Sequence, residues 1–276
     1  MNIKFENVYF GYEKNKFILK NINLLFDKNE IVFIMGPTGS GKSTLIQHIN
    51  GLLLSDKGSV DISFSDKNYS LAKNKKIKKI NELRRKVGMV FQFSEYQLFE
   101  TSVLKDVMFG PYNFFKDEKK AEILSKKALS VVDIPESYYS RSPFDLSGGE
   151  KRKVSIAGVI ASNPNVLIMD EPTSNLDPLA TRDMMDLIKK INLEGKLIIV
   201  VSHDSDLCYE YADRVVLMNN GEIIKDCSVE EAFKDKDVLN RLSLIEPFVY
   251  RMKRILNITD SSIRSIKDLK AVISNE

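Results

Sequence analysis

Three stretches of the chain are apolar at every position: Ile31–Met35, Val166–Met169 and Leu197–Val201. A strand covered on both faces reads this way, as in a parallel sheet with helices above and below it. The chain opens differently. From its first residues polar and apolar side chains alternate, which predicts strands at about 3–10 and 18–26 with one covered face. Between the apolar runs the spacing changes to that of helices. Residues from Lys42 to about Asn50 form one such stretch, and Pro178–Leu193 forms another, with Met184, Leu187, Ile188 and Ile191 on one face. Asp177 can cap the second helix, Pro178 suits its first position, and Gly195 lies just past its end. Strands alternating with helices around apolar runs predict an α/β domain with a mainly parallel sheet.

The region from about 93 to 164 breaks that rhythm. Asp117–Val132 puts Ala121, Leu124, Ala128 and Val131 on one helical face, and no strong strand pattern interrupts the region. It reads as a helical insertion between core strands. After about Asp226 the chain turns helical again. Ser228 and Glu231 have the spacing of a capping box. Phe248, Met252 and Ile255, then Ile263, Ile266 and Leu269, make two short amphipathic stripes. The expected division is therefore a main domain over 1–226 and a small helical appendage over 227–276.

Composition narrows the picture only slightly. Among 276 residues, 43% are apolar and 29% charged, and 41 basic against 38 acidic side chains leave a net charge of +3. So small an excess gives no reason to expect nucleic acid or an anionic membrane surface as the main partner. Cys208 and Cys227 have no metal-type spacing and suit a reducing compartment. Five lysines within Lys73–Lys79 read as a solvated face. The first residues read as a strand rather than a secretory signal. No run approaches the ~18 apolar residues of a membrane span, so work at a membrane would need other chains to hold this one there.

The candidate chemistry begins where the first apolar strand ends. Gly36-Pro37-Thr38-Gly39-Ser40-Gly41-Lys42-Ser43-Thr44 fits the phosphate-binding pattern G-x-x-x-x-G-K-[ST]. Its glycines let backbone N–H groups curl around phosphate oxygens, and the following helix start adds positive charge. In such a loop Lys42 reaches the β- and γ-phosphates, and the Ser43 hydroxyl ligates Mg²⁺. The second apolar strand runs into Asp170-Glu171. It delivers two carboxylates to the carboxyl end of a strand, where ligands bind in open α/β sheets. Asp170 suits Mg²⁺, mostly through water, and Glu171 is placed to orient and deprotonate an attacking water. Together the two motifs predict a nucleoside triphosphate with magnesium.

Leu146-Ser147-Gly148-Gly149-Glu150 opens a further helical stretch, Lys151–Ala161. Ser147 and the N–H groups of Gly148 and Gly149 would make a second anion site in a chain with one phosphate loop. Here the sequence resembles the ABC (ATP-binding cassette) ATPases. The resemblance implies that Ser147, Gly148 and Gly149 contact ATP held by a second cassette. It also implies that Gln92 touches Mg²⁺ and links the site to a membrane subunit, and that Asp177 belongs to the D-loop. By the same resemblance His203 contacts the γ-phosphate and Tyr12 stacks on adenine. Asn175 stands where the family more often has a small residue. His48 reads as structural.

Within that family, residues 91–100, 105–107, 109–111, 141–144 and 156–161 are similar to the ATPases of energy-coupling-factor (ECF) transporters, above all the second of their two ATPases. That resemblance implies a RecA-like P-loop core, an antiparallel β subdomain, a helical subdomain and a C-terminal dimerisation region. It further implies a second ABC ATPase as partner, in a homo- or heterodimer with the heterodimer favoured. A transmembrane coupling subunit and a substrate-binding membrane subunit complete the expected assembly at the cytoplasmic face of the membrane. The implied activity is ATP hydrolysis that drives import of a vitamin or metal ion through dimer closure. Tyr96, Gln97, Leu98 and Phe99 are the expected docking surface for the membrane subunit. Two alternatives stay open: the ATPase of another ABC importer or exporter, and a non-transport ABC ATPase acting on DNA. The second would need a long coiled coil or zinc-type insert between the phosphate loop and LSGGE, and the sequence holds neither.

Overall fold

The computed structural model describes residues 1–14, 16–73 and 79–274. In chain order come β1 (Asn2–Phe10), β2 (Leu19–Phe26), β3 (Ile31–Met35), α1 (Lys42–Ile49), β4 (Lys57–Phe64), β5 (Lys67–Leu71), α2 (Ile80–Lys86) and β6 (Val87–Val90). The helical insertion follows as α3 (Val103–Phe115), α4 (Glu118–Val131) and α5 (Gly148–Ile160). Then come β7 (Val166–Asp170), α6 (Pro178–Asn192), β8 (Leu197–Val201), α7 (Ser205–Tyr211), β9 (Arg214–Asn219) and β10 (Glu222–Ser228). Helices α8 (Val229–Lys234), α9 (Lys236–Arg241), α10 (Phe248–Ile255) and α11 (Ile266–Ile273) close the chain.

Among the described residues the strands form two sheets. The first runs β2-β1-β4-β5 and is antiparallel throughout; the second runs β10-β9-β3-β8-β7-β6. In the second sheet β6, β7, β8, β3 and β9 are parallel, and only β10 returns antiparallel against β9. The three wholly apolar runs are its central strands β3, β8 and β7. Their alternate residues feed two different cores, as the unbroken apolarity required. Ile31, Phe33 and Met35 face a cluster shared with the helical insertion, α6 and the C-terminal helices. Val32 and Ile34 face the other, filled by α1 and the antiparallel sheet.

The helix ends follow their residues. Asp177 caps α6 by accepting from Leu179 and Ala180 N–H at 2.9 Å each, with Pro178 at the first position. Ser228 and Glu231 close the expected capping box on α8. In the appendage the buried face differs from the apolar stripe read in the sequence. Phe248 and Ile255 are exposed, while Val249 and Lys253 are buried. Lys253 finds burial tolerable because Tyr209 and Glu230 receive its ammonium. Most of the lysine run, residues 74–78, lies outside the described residues. Its two ends pair with carboxylates, Lys73 with Asp56 and Lys79 with Glu82. None of the described helices is long and apolar enough to cross a membrane.

Candidate functional site

At the carboxyl ends of β3, β7 and β8 the chain leaves the sheet in three loops, and these loops build one site. The first is 36–41. Gly36 sits at φ +148°, and a Cβ there would lie 2.1 Å from the Met218 carbonyl oxygen, so a side chain is excluded. Ser40 is buried beneath the turn, its N–H donating to Pro37 O at 3.1 Å. Lys42, the first residue of α1, turns its ammonium back over the loop. Nζ donates to Gly36 O at 2.7 Å and Pro37 O at 2.9 Å. Burial lowers its pKa, while Glu171 and Asp170 act against that shift. An ammonium held by two carbonyls and the Ser40 hydroxyl, with no carboxylate hydrogen-bonded to it, stands at the start of a helix and is suited to receive anionic oxygens.

The second loop follows β7. Asp170 is buried, and that burial raises its pKa; the Ser43 hydroxyl and Lys42 pull the other way, and Glu171 adds to the rise. A carboxylate so placed lacks positive charge. A hydroxyl, a carboxylate and, across the cavity, the amide of Gln92 are hard oxygen donors of the kind magnesium takes, so the residues present fit that ion. Glu171 adopts a left-handed backbone, φ +49°, with its N–H on Val201 O at 2.9 Å. That twist aims the carboxylate at the third loop, where His203 follows β8. His203 Nδ1 lies 3.0 and 3.1 Å from the two Glu171 oxygens. The histidine side chain is 75% exposed and the glutamate 15%, so the pair straddles the edge of the cleft.

These loops, with Gln92 two residues past β6, bring Lys42, Ser43, Asp170, Glu171 and His203 around one cavity of about 430 Å³. Thr38, Gly39, Gly41 and Thr44 line it too, and Pro37 borders the adjoining cavity. Tyr12 stands at the rim, 61% exposed, its ring edge-on to Phe10 and its hydroxyl 3.4 Å from Thr44 Oγ1. His48, read as structural, is fully buried with Nδ1 2.7 Å from Thr44 O. Asp177, on the surface, caps α6 rather than lining the cavity.

Ser147, Gly148 and Gly149 are elsewhere. They open α5, where Ser147 and Glu150 close a capping box, and no atom stands within 4 Å of a Cβ built on either glycine. The site near Lys42 thus does not include them. Arg152, which the sequence reading passed over, ties this helix to the site's loops. It is 4% exposed and grips both Glu95 oxygens, at 3.2 and 2.9 Å, while Nη1 donates to Pro172 O at 3.2 Å and Ser174 O at 2.6 Å. A basic residue two turns before the apolar end of a signature helix was the available signal, but helical charge is ordinarily solvated. Ile18, also missed, lines the cavity beside Gly41. Leu98, expected on a docking surface, is instead buried in the larger core, because its side chain turns inward from the short helical turn 94–97. Tyr96 and Phe99 on either side of it are exposed.

A phosphate loop, an acid pair and a facing histidine on a parallel sheet, with a separate glycine-capped helix start, define a P-loop ATPase of the cassette type. The ABC transporter family model matches residues 19–174, and the chain belongs to that family. Over its full length it is 44% identical to the energy-coupling factor transporter ATP-binding protein EcfA2 of Spiroplasma kunkelii, covering 93% of that protein. Among solved structures, cbiO1 of Clostridium perfringens, part of the ABC transporter complex cbiONQ, is 33% identical. That match has a TM-score of 0.74 over 93% of this chain and 98% of cbiO1. A dimeric ATP-binding cassette, MJ0796, bound to ADP and Pi, is 29% identical with a TM-score of 0.71, covering 82% of this chain and 98% of that one.

Proposed function

We propose that the chain is the ATP-hydrolysing subunit of an energy-coupling-factor importer, taking up a vitamin or metal ion with other chains. One observation carries this reading: the phosphate loop and the LSGGE helix start sit on one chain but line different surfaces. A single nucleotide cannot use both, whereas two cassettes facing each other make two complete sites. ATP lies with its phosphates on residues 36–44 and its adenine against Tyr12. Ser43, Asp170 and Gln92 would hold Mg²⁺, which would supply positive charge beside the phosphates. Glu171 orients the attacking water and takes its proton, while His203 holds the γ-phosphate end of the cleft. Ser147, Gly148, Gly149 and Asp177 serve the ATP of the opposite cassette. Binding closes the pair and hydrolysis reopens it, so nucleotide state becomes a shift between two shapes.

Residues 1–226 form the ATPase domain, with the helical subdomain at about 93–164, and 227–276 take part in pairing. The partner cassette is a different chain, and both work at the cytoplasmic face of the membrane on a coupling subunit and a substrate-binding subunit. The similarity to ECF ATP-binding proteins over the whole length supports this choice among ABC systems. Affinity purification from native membranes tests it. The expected co-purifying set is a second cassette and two integral membrane proteins, with vanadate-sensitive ATPase activity. Recovery of this chain with DNA and without membrane proteins would overturn the reading.

A further inference from the structure

The helix that follows His203 is gripped along its whole length by the C-terminal appendage. Helix α7 begins two residues after His203 and has only seven residues, too few to hold its own shape or place. At its first turn Asp206 Oδ1 accepts the Phe248 N–H at 2.6 Å. In its middle Tyr209, 1% exposed, donates its hydroxyl to Glu230 Oε1 at 2.7 Å and accepts from Lys253 Nζ at 2.9 Å. Lys253 also reaches Glu230 Oε1 at 3.1 Å. At the last turn Arg264 donates from Nε to Tyr209 O at 2.7 Å and from Nη2 to Ala212 O. Those carbonyls have no partner within the helix, and a guanidinium there also meets the negative end of its dipole.

Phe248, Glu230, Lys253 and Arg264 all lie in the appendage, and the loop 242–245 of the same region walls a cavity of about 620 Å³ that also touches Lys42, Glu171 and His203. Packing on the core needs only apolar contact. Four appendage residues bonding to one short helix beside the catalytic cleft do more than that. Any displacement of α7 passes directly into residues 202–204, because β8 at their other end is fixed in mid-sheet.

We propose that Arg264 and Lys253 are positioning residues for hydrolysis: they hold α7 and through it set His203 against Glu171. The appendage is thereby a direct determinant of turnover. This inference rests on the site assignment made above. The test is Arg264→Met in the full chain within its assembled complex, beside Arg254→Met, which removes a charge that pairs with Glu246 on the same appendage. Misplacing a catalytic group by about an ångström costs up to ~10²-fold. Arg264→Met is expected to lower kcat ~10-fold or more with KM for ATP and melting temperature near those of the unaltered chain. Arg264→Lys, able to reach one carbonyl, should recover part of kcat, and Arg254→Met should leave it unchanged. Tyr209→Phe, which removes the hydroxyl that meets both Glu230 and Lys253 but keeps the ring, should give a smaller fall in kcat alone; it decides the matter if Arg264→Met does not fold. Unchanged kcat in Arg264→Met, or in Tyr209→Phe where that variant decides, would overturn the proposal. So would losses of kcat, KM and melting temperature together that Lys does not repair, or an equal loss in Arg254→Met. An unaltered complex without ATPase activity would overturn the site assignment instead.

Discussion

Glu171 holds a backbone conformation that ordinary residues avoid, φ +49°, and holds it where β7 meets the cleft. Strain of this kind costs of order 1–3 kcal/mol and persists where the surroundings impose it. Here the Val201 carbonyl and His203 do so. Glu171→Gln keeps the shape, exchanges one acceptor oxygen for an NH2 donor and loses the base. Turnover should fall ~10²–10⁴-fold while ATP stays bound, measured as steady-state ATPase against nucleotide retained on the purified complex. Asp170 makes the complementary case. Burial raises its pKa, so the folded chain takes up this proton more readily than the unfolded chain. Above the folded pKa the buried charge is a full penalty, and between the two pKa values the folded state binds more protons than the unfolded. Its contribution to stability therefore improves as pH falls through the folded pKa. Asp170→Asn removes that penalty at neutral pH. The nucleotide-free variant should melt higher than the parent, yet show no magnesium-dependent stabilisation by ATP; a lower melting temperature would show that the Ser43 contact outweighs burial. Asn175 has a simpler account. Its φ of +61° is a conformation asparagine tolerates, which explains a non-small residue in the D-loop.

At the scale of elements, α5 is the one whose start the proposed pairing places in the opposite cassette's site. Ser147 is a helix cap by geometry, and its neighbours Gly148 and Gly149 face open space. Ser147→Arg should leave the ATP site built on this chain's Lys42 working and disable the opposite one. Pairing this variant with a partner cassette lacking its phosphate-loop lysine should retain ATPase activity, and pairing it with a partner altered in its own signature should abolish activity. Persistence in the second pairing would show that Ser147 does not act across the dimer. Elements such as α5, α6 and the central strands were legible because their signals are local. A cap, a proline and unbroken apolarity each act within a few residues. The strands β4, β5, β9 and β10 were not singled out, although Val60, Ile62 and Phe64 alternate cleanly in β4. The hairpin strands β4, β5 and β10 are short and carry few apolar positions each, and β4 is held by pairing with β1, whereas β9 is an unbroken apolar run, Val215–Met218, beside β3. Arg152 and Lys253 stayed invisible for another reason. Whether a charge is buried depends on partners 57 and 23 residues away, Glu95 and Glu230.

Across the whole molecule the question is how this chain meets a membrane protein, and the helical insertion offers one surface. Tyr96, Phe99, Phe109 and Tyr112 are all about half or more exposed there, and the Phe99 and Phe109 rings meet edge to face at 5.0 Å. Beside them a cleft of about 260 Å³ is bounded by Glu100, Lys105, Met108 and Glu118. Aromatic bulk rimmed by charge is the make-up of a groove that receives a partner helix. The 94–97 turn joins this surface to Gln92 on one side, and Arg152 joins it to the loop after Glu171 on the other. Docking there would couple a partner's movement to the catalytic residues. Neighbouring residues separate docking from folding. Phe99→Asp should detach the chain from its membrane partner and end transport, while the isolated chain keeps its melting temperature and ATP affinity. Leu98→Asp should instead unfold it, since a buried leucine alone is worth ~2–5 kcal/mol and an unpaired carboxylate would take its place. Co-purification with the membrane subunit and melting of each isolated variant give the answer. If Phe99→Asp assembles and transports normally, the coupling surface lies elsewhere on the molecule, and the route through Gln92 and Arg152 carries no signal from the membrane.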